Sequence, residues 1–368
     1  MAAEPMRILF TRFPLESAHG GAEVQTLSLM EGLRARGHTV SFLGSCPVLL
    51  RWAQEAGFAV QTLEIGPPPV SARLALTFAW HKGAMRGALH KAFDALRPDA
   101  VCMLSLTEKL LLTQRAAAAG TRTLWIEHDR VGRWLTLNPW RPLLLRAARS
   151  ATTVAVSDAS AAIHARLGWP RDRLTAIPDG IDQARIGPAR TTWKTDGRLR
   201  VGCIARLTHD KGVDVLIEAV SMLPDVTLTI VGTGRDRSEI ERAIARSGAA
   251  DRIDLWETVQ HIGDFQRRID ILALPSRSHD PFGMVAAESL FVGTPVIVTE
   301  ACGIGGYLHH GIDAMVVPAG DPGALSEAMT QLFPEERRRA LGTAGRLTAE
   351  RLFSLDAMVE RYENLLRS

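Results

Sequence analysis

The sequence predicts an α/β protein made of two doubly wound parallel-sheet domains in tandem. Three observations lead there. Short apolar strands alternate with helical segments through the first half of the 368 residues, the same pattern restarts at Leu199 after a turn-rich stretch, and the halves differ in charge. Up to Asp182 there are 21 Lys+Arg against 15 Asp+Glu, and beyond it 22 against 25. Seven of the eight tryptophans precede residue 194, so the first half is basic and Trp-rich and suits a different partner from the second.

The first strand falls at 7–11 and is followed by a loop through Gly20 and Gly21. Val24, Leu27, Met30 and Leu33 then recur at helical spacing, and Gly37 stops that helix. Further strands are expected at 39–43, 100–104, 122–126 and 152–156. After the turn-rich segment at 177–197, strands are expected at 199–204, 226–231, 269–274 and 294–298, with a helix from about Val213 and a Gly232-Thr233-Gly234 turn. The expected domains are 1–184 and 185–349, with an amphipathic helix at 350–368 that suits packing on either domain, a return to the first being one option.

Composition removes several classes. Hydrophobic residues make up 46% and charged residues 23%, ordinary for a globular chain, and no apolar run reaches the roughly 18 residues of a membrane span. The opening MAAEPMRILF does not read as a signal peptide. Cys46, Cys102, Cys203 and Cys302 stand far apart in apolar surroundings, which fits buried reduced thiols, a cytoplasmic location and no metal centre. Nothing asks for nucleic acid as a partner.

Three stretches carry chemistry. ARLTHDKG (205–212) lies between a strand and a helix, which places Arg206 and Lys211 at the carboxyl end of a sheet, where open α/β folds bind ligands. Two cations there suit a diphosphate, and a chain with only five lysines has kept Lys211, the one lysine after Lys194. In HDPFGMVAAES (279–289), Asp280-Pro281 reads as a helix start, with Asp as N-cap and Pro in the first turn. Phe282, Gly283, Met284 and Val285 would then turn backbone N–H groups toward an anion. Glu288, eight residues after Asp280 and set in an apolar run, suits a buried acid or one facing a pocket that offers a vicinal diol such as a ribose. HGGAE (19–23) allows close backbone approach at Gly20 and Gly21 but lacks the Gly-x-Gly-x-x-Gly spacing of a dinucleotide site, as does Gly232-Thr233-Gly234.

Taken together, GGAE, HD, VSDAS, IPDGID, ARLTHDKG, VGTG, LPSRSHDPFGMVAAES and VGTPVIV resemble the retaining glycosyltransferases of family 4 (group 1), in the family's order and over about residues 6–325. The resemblance implies the GT-B fold: two Rossmann-like domains facing a central cleft, the acceptor on the first and a nucleotide-sugar donor on the second. It implies that Arg206 and Lys211 hold the donor diphosphate and that Glu288 binds the ribose. Asp280 stands where the family's paired-acid motif has its first Glu and would touch donor-sugar hydroxyls, so its shorter side chain bears on the choice of sugar. Gly20 and Gly21 would line the phosphate side, and His128, in WIEHD, would lie near the transferred sugar. In GIGGYLHHG (303–311) the family's usual acid is missing, and His309 and His310 read as surface residues. The implied reaction retains anomeric configuration and needs no metal or other cofactor, in keeping with the lack of an Asp-x-Asp motif. A glycan, a glycolipid or a small molecule would serve as acceptor in cell-envelope polysaccharide synthesis.

Other functions remain open on the residues alone: a sugar-nucleotide epimerase of the same fold, a non-catalytic sugar-nucleotide-binding protein, or a nicotinamide oxidoreductase. The segment 130–150 joins Arg130, Arg133, Arg141, Arg146 and Arg149 to Trp134, Trp140 and Leu143 to Leu145. It reads either as an interfacial anchor, placing the protein on the inner face of the plasma membrane against anionic lipid, or as an ordinary core helix.

Overall fold

The computed structural model describes residues 4–14, 20–128, 133–193 and 197–368. The chain forms two compact units. One comprises the residues up to Gly180 together with Met358–Ser368, and the other is Ile181–Ala357. The sequence places this division at 184/185 and the returning segment at 350.

The first unit is built on an all-parallel sheet of β1 (Arg7–Arg12), β2 (Thr39–Gly44), β3 (Ala59–Thr62), β4 (Ala100–Met103), β5 (Arg122–Glu127), β6 (Thr152–Ala155) and β7 (Leu174–Ala176). Their order is β3-β2-β1-β4-β5-β6-β7. Central strands have helices over both faces and are apolar almost throughout; every residue of β4 is buried. Leu9, Val101, Met103 and Trp125 anchor one core.

The second unit repeats the plan with β8 (Leu199–Ile204), β9 (Val226–Val231), β10 (Ile253–Trp256), β11 (Ile271–Leu274), β12 (Val296–Thr299) and β13 (Met315–Val317). They lie parallel in the order β10-β9-β8-β11-β12-β13. Val201, Cys203, Leu216, Ile230 and Ile271 belong to its core. All four cysteines are free and buried.

The expected helix at the chain's end divides in two. Glu335–Leu352 belongs to the second unit, and Leu355–Arg367 crosses to the first from Met358 onward. Val359 fits against Gly32 so closely that a Cβ there would lie 2.3 Å from its Cγ2. Tyr362 is 2% exposed, and Glu363 pairs with Arg36 at 3.0 Å and His38 at 3.2 Å.

Entry to β11 is fixed by a buried acid. Asp270 is fully buried and takes bonds from Arg200 Nε at 2.9 Å and Nη2 at 3.0 Å, with Arg190 Nη2 3.8 Å away. Burial pulls the Arg190 guanidinium down to about 10, against the opposing pull of Asp270. Removing one partner of such a cluster leaves a buried charge uncompensated. Asp270→Ala is therefore expected to destabilise the second unit by about 3–5 kcal/mol, read by urea denaturation; a loss below about 1 kcal/mol would contradict this role.

Candidate active site

In the second unit, β8 and β11 are neighbours from which the chain winds in opposite directions, so the loops leaving them, 205–212 and 275–283, open at the topological switch point. Gly212 joins these loops. Its φ is 64°, and a Cβ would come within 2.1 Å of the Pro275 carbonyl oxygen. The VGTG turn nests on the first loop in the same manner: Leu207 N–H donates to the Thr233 oxygen at 2.9 Å, and Asp236 N–H to the Leu207 oxygen at 3.0 Å.

This nesting brings Lys211 to Asp280. Lys211 Nζ donates to Asp280 Oδ2 at 2.6 Å, and Ser276 Oγ donates to the same oxygen at 3.2 Å. The two charged side chains are 16% and 12% exposed, partly desolvated yet reachable. Arg206 emerges exposed from the same loop.

The expected helix start at Asp280-Pro281 is corrected. Asp280 lies on extended backbone bridged to Cys302, its N–H donating to the Ala301 oxygen at 2.9 Å. The helix is Met284–Phe291, with Gly283 as its N-cap at φ 106°. The bridge to Cys302 and the bond to Lys211 outweigh the local capping preference of Asp-Pro. The side chain of Phe282 packs edge-on against Phe353 at 5.4 Å, and its carbonyl accepts from Ile304 N–H at 2.7 Å. Gly283, Met284 and Val285 head the helix at its positive end.

Glu288 sits on that helix with its Oε2 buried and without a hydrogen bond among the described residues. Burial pushes its carboxyl up to about 7, while Arg185 on the short helix Gln183–Ile186 pulls it back. Ser276, Arg185 and Gly212 complete this group of residues. Sequence spacing did not flag them, since each acts through a fold-dependent approach rather than a local pattern.

In the first unit, Gly20 is the N-cap of helix Gly21–Ala35, and Glu23 in its first turn forms a buried pair with Arg12 at 2.7 Å. His19, ahead of these glycines, lies outside the described residues, as does Asp129 beside His128. The ring of His128, just beyond β5, is 8% exposed and holds Nδ1 3.5 Å from Asp179 Oδ1, without a hydrogen bond. Nearby in sequence, Lys109 Nζ lies 2.9 Å from Glu127 Oε1 and donates to the Leu104 and Ile126 oxygens, each at 3.3 Å. Glu108 is pushed up to about 7 by burial, although it accepts from Ser105 N–H at 2.6 Å. This buried cluster was missed because Glu108-Lys109 reads as an ordinary helical pair. The candidate residues thus form two sets: Arg206, Lys211, Asp280, Phe282 to Val285 and Glu288 in the second unit, and Gly20, Gly21 and His128 in the first.

Within the basic segment, residues 130–132 lie outside the described residues. Helix Arg141–Ala148 turns Leu144, Ala147 and Ala148 into the core, so its apolar side is largely occupied. His309 and His310 are exposed. Among the described residues, no group of three or more His, Cys, Asp or Glu could hold a metal ion, and no helix is long and apolar enough to cross a membrane.

Residues 19–185 match the Glycosyltransferase Family 4 sequence family, and residues 198–335 match Glycosyl transferases group 1. An exopolysaccharide phosphotransferase of Streptomyces coelicolor is 30% identical over 74% of this chain and 29% of its own length. The lipopolysaccharide core biosynthesis glycosyltransferase LpsE of Rhizobium meliloti is 30% identical over 55% of this chain and 60% of its own. The chain thus spans less than two thirds of the length of these curated relatives. Anabaena Alr3699/HepE, solved in complex with UDP, superposes with a TM-score of 0.83 over 98% of this chain and all of that one, at 18% identity, which establishes the fold as GT-B. With both halves matched in order and the fold shared throughout, the chain belongs to the group 1, family 4 glycosyltransferases.

Proposed function

We propose that the protein is a retaining, metal-independent glycosyltransferase that carries a sugar from a nucleoside-diphosphate sugar to a glycan, glycolipid or small-molecule acceptor. The observation that carries this reading is the 2.6 Å Lys211–Asp280 pair at the switch point of the second unit, on the same side as the helix that bears Glu288. Lys211 and Arg206 would take the charge of the departing diphosphate, aided by the positive end of helix Met284–Phe291. Asp280 would exchange part of its bond to Lys211 for donor-sugar hydroxyls, and Glu288 would accept from the ribose diol. As the acceptor oxygen bonds to the anomeric carbon, the bond from that carbon to phosphate breaks, and the acceptor's proton passes to the departing phosphate oxygen on the same face. His128 would contact the transferred sugar. Fixed cations make a divalent ion unnecessary in this scheme. We place the enzyme in the cytoplasm, in peripheral contact with anionic lipid on the inner face of the plasma membrane.

The test is thermal stabilisation by UDP, GDP, ADP and NAD in the presence of a chelator. One nucleoside diphosphate is expected to add about 3 kcal/mol at a concentration near one hundred times its Kd. The shift should shrink in Glu288→Ala. A response to NAD alone, or to none of them, would overturn the donor-site reading. Binding without turnover of the matching sugar donors, across candidate acceptors, would favour a non-catalytic binding protein.

A further inference from the structure

Helix Ala72–Leu96 is apolar on two sides but anchored on only one. Ala75, Phe78, Met85, Leu89, Ala92 and Phe93 face the core of the first unit. The opposite side presents Leu76 and Trp80, one turn apart and 71% and 83% exposed.

A second segment extends this surface. Trp140 Nε1 donates to the Ala75 oxygen at 2.9 Å, its ring meets Phe78 edge-on at 5.2 Å, and Lys82 Nζ lies 4.8 Å above it. Asn138 Nδ2 donates to the Pro69 oxygen. These contacts hold Leu137 and Leu143, 78% and 43% exposed, on the stretch that packs against the helix. All the large hydrophobic side chains found exposed among the described residues of the first unit therefore belong to these two segments.

The charge around them is predominantly positive, and the one acid of the helix, Asp94 in its last turn, is paired with Arg115 at 2.9 Å. No acid occurs from Ile65 to Phe93 or from 133 to 157, whereas Arg73, Lys82, Arg86, Lys91, Arg141, Arg146 and Arg149 do. A second copy docked face to face would set these cations against one another. A bilayer with anionic headgroups complements them, and Trp beside Lys and Arg is the composition that interfaces favour.

The geometry points to the outward face of helix Ala72–Leu96, centred on Leu76 and Trp80, as the surface that docks on an anionic lipid bilayer. This rests on the peripheral-membrane part of the function proposed above and moves its anchor from 130–150, whose apolar side is largely in the core, to helix Ala72–Leu96.

Wild-type protein is expected to sediment at low ionic strength with vesicles of equal phosphatidylcholine and phosphatidylglycerol, and to stay in solution with phosphatidylcholine alone. The Leu76→Ser/Trp80→Ser variant should lose about ten-fold or more in partitioning while keeping its thermal midpoint and its response to nucleoside diphosphate. A second readout avoids altering the anchor. Gly83 has nothing within 4 Å of a built Cβ and all native cysteines are buried, so a fluorophore on Gly83→Cys should shift to the blue on anionic vesicles. Failure of the wild type to sediment would overturn both this inference and the membrane part of the proposed function, while the nucleotide response would leave the transferase reading standing. Equal sedimentation of variant and wild type, or self-association that the variant abolishes in the absence of vesicle binding, would overturn the helix assignment alone.

Discussion

Lys211→Ala is expected to lower kcat by about a hundred- to a thousand-fold, the range typical of removing one fixed group aimed at charge that develops in a transition state. The structure makes the loss twofold in origin. The cation that would meet the departing diphosphate disappears, and Asp280, at 12% exposure, is left as an uncompensated anion beside it. The double variant Lys211→Ala/Asp280→Asn separates these effects. If the pair were only structural, removing both charges would restore stability and activity together. The expected result is restored stability with kcat still depressed, measured by single-turnover transfer and urea denaturation side by side. A single variant that keeps kcat within about three-fold of wild type would remove Lys211 from the chemistry.

Glu288→Gln is the second large effect, and pH gives its signature. Folding raises this carboxyl from 4.5 to about 7, so between those values the folded protein binds more protons than the unfolded chain. Stability from this site is therefore greatest below pH 4.5 and falls as pH rises to about 7, a loss of about 3 kcal/mol at most. The Gln variant should match wild type near pH 5 and unfold at higher temperature than wild type near pH 8. Donor affinity should run the other way. An ionised carboxylate accepts more bonds from a diol than a neutral carboxyl, so wild-type affinity should fall by up to about ten-fold from pH 7 to pH 6. The variant should bind at least about ten-fold more weakly at pH 8 and show no such slope. Titration calorimetry against pH reads both effects, and an unchanged slope in the variant would assign the buried acid to packing alone.

The interior of both sheets was legible in the sequence. Strands such as β4 and β11 are buried along their whole length, and that burial requires the apolar runs that betray them. The strands that escaped were β3, β7, β10 and β13, which are the outer strands of the two sheets. β3 has a single half-buried residue and β10 alternates with exposed positions, so neither needs an apolar run. The site divides similarly. Lys211, Asp280 and Glu288 stood out because their residue types jar with their surroundings. The helix start was misread because Asp-Pro is a strong local cap, overridden here by a bridge to Cys302 that lies far along the chain.

The eleven residues that complete the first unit have a consequence for biosynthesis. Met358–Ser368 are translated only after all of Ile181–Ala357. Until then the groove at Gly32 awaits Val359, and the buried places of Tyr362 and Leu366 stand empty. On the ribosome, the second unit can close from its own uninterrupted stretch while the first, begun earlier, waits for its final helix. The half of the molecule made first is thus finished last, and apolar surface around helix Gly21–Ala35 stays open to water for the whole of that interval.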